Sequence, residues 1–137
     1  MKQSMISRKV IRIVSLLVLL CSFSVAADAQ RGRWVFLGSA NVDGGRDHDV
    51  IRVNALGAFT ALQLGIRGGA IEFQRVVVHF ENGGEQELQI RDRIRAGGRT
   101  RTIDLKGERR RIESVEFWYG KPNWRSGRPQ VSLWGRR

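Results

Sequence analysis

The chain has 137 residues, 24 lysines and arginines against 13 aspartates and glutamates, a formal net charge of +11 and one cysteine. That length supports one domain around one hydrophobic core and is short for two. The single cysteine, Cys21, excludes a disulfide framework, and with two histidines in the chain it argues against a zinc centre.

The first 29 residues read as a leader. Lys2, Arg8, Lys9 and Arg12 form a basic n-region, Ile13 to Val25 an apolar h-region, and Ala27-Asp28-Ala29 an A-x-A cleavage signal. The spacing predicts a mature protein starting at Gln30. The h-region falls short of the roughly 20 apolar residues that a membrane-spanning helix needs, so no transmembrane anchor is expected. Leu20 stands before Cys21 where a lipobox has a small residue, which favours ordinary cleavage over lipidation. Residues 30–137 then carry 20 basic and 12 acidic side chains, a charge of +8, and 18 of the cations are arginine. Arginine grips carboxylates, phosphates and sulfates with two parallel bonds; a solvated strand face enriched in arginine is the plainer reading.

Trp34 to Ala40 opens the domain as a strand that is apolar on both faces, which suggests a buried or edge-closing position. Asn41 to Asp49 is a turn-rich loop dense in side-chain oxygens, and Val50 to Val53 resumes strand character. Residues 54–57 turn the chain before Phe59 to Ile66, where Thr60, Leu62, Leu64 and Ile66 alternate with their neighbours.

Ile71 to Asp92 reads as a β-hairpin. Val76, Val78 and Phe80 alternate with Val77 and His79, and after the turn Leu88 and Ile90 alternate with Glu87, Gln89 and Arg91. A three-residue loop with Gly84 left-handed sets Val78 opposite Leu88, Val76 opposite Ile90 and His79 opposite Glu87. One face of the pair is then apolar and the other polar. Arg91, Arg93 and Arg95 continue on one face, and Gly97-Gly98 turns the chain.

Thr100 to Leu105 follows as a strand with Ile103 and Leu105 inward. In Ile112 to Tyr119 a bulge near Glu113-Ser114 is needed to bring Ile112, Val115, Phe117 and Tyr119 to one face. Gly120 to Pro129 is a long loop, and Gln130 to Trp134 is the last strand, with Val131 and Leu133 inward. About eight short strands and no helical window predict an antiparallel β-sandwich, with a partly closed barrel as the alternative. Trp34, Trp118 and Trp134 are large enough to plug such a core.

The run Ile71 to Phe80, then Leu88, Ile94, Gly97 and Gly98, Thr102-Ile103-Asp104-Leu105, and Arg111-Ile112 with Val115 and Phe117, resembles the small exported domains of unknown function grouped as DUF2541. The resemblance covers about Leu37 to Phe117. It implies an all-β fold and a periplasmic or secreted location, and it brings no catalytic residues.

Two groups of residues carry candidate chemistry. Asp43, Asp47 and Asp49, beside Asn41 and Gly44-Gly45, offer hard oxygens to Ca²⁺ without the order of an EF-hand loop; turn capping by the same side chains is the alternative. The second group is aromatic and basic. With Phe117 and Tyr119 inward, Trp118 points outward. Together with Trp124, Arg125 and Arg128 it forms an expected stacking and anion-binding surface, extended by Arg91 and Arg93. His79 is accounted for by Glu87, and the serines lack a nucleophile-elbow pattern.

The sequence therefore predicts an exported, non-catalytic binding module. Its expected ligand is an anionic envelope component, an acidic polysaccharide or a lipid headgroup, rather than nucleic acid. A structural protein that associates through an edge strand is the alternative, and a calcium-dependent binding or hydrolytic protein using the Asp43–Asp49 loop is the next.

Overall fold

Nine strands carry the alternation read from the sequence in this computed structural model, which describes residues 32–42, 47–120 and 127–137. They are β1 (Trp34–Asn41), β2 (His48–Arg52), β3 (Ala61–Arg67), β4 (Ile71–Phe80), β5 (Glu85–Leu88), β6 (Arg93–Ile94), β7 (Ile103–Asp104), β8 (Ile112–Tyr119) and β9 (Gln130–Arg136). One sheet has the order β1-β9-β3-β7; the other has the order β2-β8-β4-β5, with β6 also on β4. All pairings are antiparallel. The chain divides into two units, Met1–Gly32 and Arg33–Arg137, and both sheets belong to the second. Among the described residues no helix is long and apolar enough to cross a membrane.

The two sheets pack as an open β-sandwich. Leu62, Leu64 and Ile66 of β3 and Val131 and Leu133 of β9 face Val76 and Val78 of β4 and Val115 and Phe117 of β8 across one apolar core. Each such side chain contributes about 1.5–3 kcal/mol on burial, and so the alternation of apolar residues fixes which face of each strand turns inward. The bulge expected in β8 is present. His79 pairs with Ser114 and Phe80 with Ile112, so that Glu113 is the extra residue, and Ile112, Val115, Phe117 and Tyr119 are all buried.

The hairpin differs from the sequence expectation in register. Val76 lies opposite Leu88, Val78 opposite Gln86, and His79 opposite Glu85 instead of Glu87. The Phe80 amide donates to the Gly84 carbonyl at 2.9 Å, and the left-handed residue is Gly83, at φ 88°, rather than Gly84. The register is displaced by two residues, which leaves every side chain on its expected face. Face polarity therefore cannot tell the two registers apart.

The tryptophans do not plug the core. Trp34 is 36% exposed, and Trp118 and Trp134 are half-buried on the outer faces of their sheets. The most deeply buried rings are Phe59, Phe73 and Phe117, and Gly135 makes room for one of them, since a Cβ there would stand 2.7 Å from Phe59 Cδ1.

Candidate functional site

Because Leu64, Ile66, Val131 and Leu133 point inward, their neighbours Gly65 and Ser132 must face outward. Cross-strand pairing then aligns small residues into a row. Ser39 of β1 pairs with Ser132 of β9, Ser132 pairs with Gly65 of β3, and Gly65 pairs with Arg99 of the segment that follows β6. The row crosses the sheet over about 14 Å, three inter-strand spacings. Larger residues stand on either side of it. Phe36 pairs with Trp134 on one bank, and Gln130 pairs with Arg67 on the other. The result is a trough of about 420 Å³, floored by Ser39, Ser132 and Gly65. That volume lies within the range of small-molecule sites, roughly 300–1,000 Å³.

Its chemistry is aromatic at one bank and cationic at the other. Phe36, 49% exposed, meets Trp134 edge to face, with ring centroids 5.3 Å apart. Arg67 and Arg99 line the trough, and among the described residues no carboxylate does. Neither guanidinium is ion-paired among the described residues.

Arg99 is held in place by its neighbours. The Ile66 amide donates to the Gly98 carbonyl at 2.9 Å, the Gly97 amide to the Ile66 carbonyl at 2.7 Å, and the Thr100 amide to the Leu64 carbonyl at 2.8 Å. Buried Thr100 also accepts from the Leu64 amide through its hydroxyl, at 3.0 Å. The segment 97–100 thus acts as an added edge strand that delivers Arg99 to the trough.

The outer face of the second sheet is a web of polar contacts. His48 of β2, Trp118 of β8 and Arg75 of β4 stand in one cross-strand row. His48 stacks on Trp118 at 5.5 Å, and the Arg75 guanidinium lies 4.8 Å from the indole centroid on the opposite neighbouring strand. Glu116 joins two histidines, with Oε2 3.6 Å from His48 Nε2 and Oε1 3.4 Å from His79 Nε2, while Glu85 lies 3.2 Å from His79 Nδ1. A hollow of about 320 Å³ sits over Ser114, bordered by Arg52, His79, Glu113 and Glu116. No hydrogen bond joins Ser114 to His79.

Of the residues expected from the sequence to bind ligand, the described ones stand on separate elements. Trp118 points outward as expected, but His48 and Arg75 flank the ring faces that were expected to receive a ligand. Arg128 lies in the run-in to β9 of the other sheet, and Arg91 and Arg93 are exposed beside the β4 edge. Trp124 and Arg125 lie outside the described residues, as does Asp43. Asp47 accepts from the His48 ring at 3.1 Å, and Asp49 from the Tyr119 hydroxyl at 2.8 Å. The first of these bonds holds the Asp47 carboxyl below its ordinary range. Among the described residues no three His, Cys, Asp or Glu side chains gather as metal ligands.

Sequence reasoning missed the trough, although part of it was available. With Val131 and Leu133 inward, alternation alone places Ser132 and Trp134 outward, and the same rule turns Gly65 outward between Leu64 and Ile66. What it lacked was the pairing of four distant segments into one row.

A family model, Domain of unknown function (DUF2541), matches residues 13–135. The chain belongs to this family. No curated protein matches the DUF2541 chain. Among solved structures its fold is similar to part of AlgX from Pseudomonas aeruginosa, with a TM-score of 0.52 and 13% identity over 77% of this chain and 26% of AlgX. It is also similar to a mutant family 29 carbohydrate binding module complexed with cellulohexaose, with a TM-score of 0.42 and 11% identity over 78% of this chain and 92% of that one. A further family 29 module gives a TM-score of 0.39 and 12% identity, over 78% of this chain and 79% of the module. The DUF2541 chain thus spans 26% of the length of AlgX, and the likeness lies in the two-sheet fold.

Proposed function

We propose that this domain is an exported, non-catalytic binding module for an acidic polysaccharide, and that the trough across β1, β9, β3 and the 97–100 segment is its binding site. The observation that carries the reading is the pair Arg67 and Arg99, at one side of a trough; among the described residues neither has an ion-pair partner and no carboxylate lines that trough. Opposite them, Trp134 and Phe36 offer ring surface for the apolar face of a sugar, and Ser39, Ser132 and Gln130 offer hydroxyl and amide groups. Guanidinium bonds to a charged acceptor are worth about 1.5–3 kcal/mol each, so two of them distinguish an acidic from a neutral glycan by orders of magnitude. Export rests on the basic n-region, apolar run and A-x-A site at the start of the chain.

The test is a binding titration of the purified protein against acidic and neutral polysaccharides, with anionic lipid vesicles as a separate arm. Binding of the acidic glycans alone is expected. Equal binding of neutral glycans, or binding of vesicles only, overturns the reading.

A further inference from the structure

Glycine inside a strand weakens it, since it packs nothing and loses more freedom on folding than any other residue. Its presence there calls for a cause. Within a fold the causes are a left-handed backbone, a neighbour too close for a Cβ, or a tight turn. Gly83 meets the first, at φ 88°, and Gly135 the second, against Phe59 and Leu37. Gly65 meets none of them. It lies inside β3, paired with Ser132 on one side and Arg99 on the other, and it is not among the glycines of positive φ. A Cβ built on it would approach one atom within 4 Å, Trp134 Nε1 at 3.9 Å, an ordinary van der Waals contact. The protein has room for a side chain here and leaves it empty.

The atom beside that space is a hydrogen-bond donor. Trp134 Nε1–H borders the bare floor and has no acceptor among the described residues. Arg99 adjoins the same position across the strand, and Arg67 stands two residues along it. A donor, two arginines and a missing side chain therefore border the same trough.

We infer that Gly65 is the seat of the ligand and the residue that sets its specificity. A pyranose ring lies flat on the half-buried Gly65 peptide, one of its oxygens accepts from Trp134 Nε1–H, and its anionic substituent reaches Arg67 and Arg99. The depth given by the missing Cβ admits a ring that any larger residue would lift away from all three groups. This rests on the glycan-binding reading and adds the position and orientation of one sugar.

The experiment compares the wild type, Gly65→Ala and Trp134→Phe for melting temperature and for affinity toward an acidic polysaccharide that the wild type binds. Gly65→Ala is expected to melt at or above the wild-type temperature and to lose at least tenfold in affinity. Trp134→Phe, which keeps an aromatic ring and removes the N–H, is expected to lose several-fold. Wild-type affinity in Gly65→Ala overturns the inference while leaving the glycan reading in place. A lowered melting temperature in Gly65→Ala also overturns it, by giving the glycine a structural cause. A wild type that binds no acidic polysaccharide overturns the reading and the inference together.

Discussion

The Thr100 hydroxyl accepts the Leu64 amide proton at 3.0 Å and donates its own to the Arg101 carbonyl at 2.9 Å. A side chain thus takes the place of a strand partner at the edge of β3, and the residue before it is Arg99. Thr100→Val keeps the shape and leaves the Leu64 amide buried without an acceptor, which costs about 1–3 kcal/mol. We expect that loss in a denaturant titration, together with faster hydrogen exchange at Leu64 and weaker ligand binding. Thr100→Ser should restore all three. Unchanged exchange in the valine variant would mean that the 97–100 segment is held in some other way.

Two tryptophans on opposite sheets should behave in opposite ways. Trp118 is flanked by His48 and Arg75, so Trp118→Ala should cost about 1–2 kcal/mol of stability through the lost stacking and cation–π contacts and leave affinity unchanged. Trp134→Ala should lower affinity at least tenfold. The reverse pattern would move the binding site to the second sheet.

The hairpin turn gives a test of register. Gly83 adopts φ 88°, and Gly83→Ala should cost about 1 kcal/mol, whereas a left-handed Gly84 would make Gly84→Ala the damaging change. Parallel melts of the two variants decide between the registers.

Asp47 should titrate low. Its carboxyl is held below its ordinary value of 3.8 first by the hydrogen bond from the His48 ring, then by its own backbone amide. A depressed folded value means that the stabilisation is present above pH 3.8 and is lost as pH falls through the lower folded value. Carbon-detected titration of the Asp47 carboxyl should show a midpoint below 3.8 that rises in His48→Ala. A midpoint that does not move would assign the shift to another cause.

Local pattern carried most of the fold. The parity conflict between Ile112 and Val115 called for a bulge, and Glu113 supplies it. Alternation failed where two answers share one pattern, as in the hairpin, where a two-residue displacement moves His79 from Glu87 to Glu85 without changing a face. It also failed where size was weighed above parity, placing Trp34 and Trp134 in the core. The trough was beyond local pattern, because Ser39, Gly65, Arg99 and Ser132 come from four segments and meet only through the pairing of the sheet.

Capture of an anionic glycan by Arg67 and Arg99 is read from affinity against salt for the wild type, Arg67→Gln, Arg99→Gln and the double variant. Screening shortens the reach of charge from about 10 Å at 0.1 M salt to about 3 Å at 1 M. The wild type should lose at least tenfold in affinity across that range. Each single variant should lose about 10- to 100-fold at low salt, and the double variant should be weak and nearly insensitive to salt. A double variant that binds as tightly as the wild type, with the same salt dependence, would contradict the account.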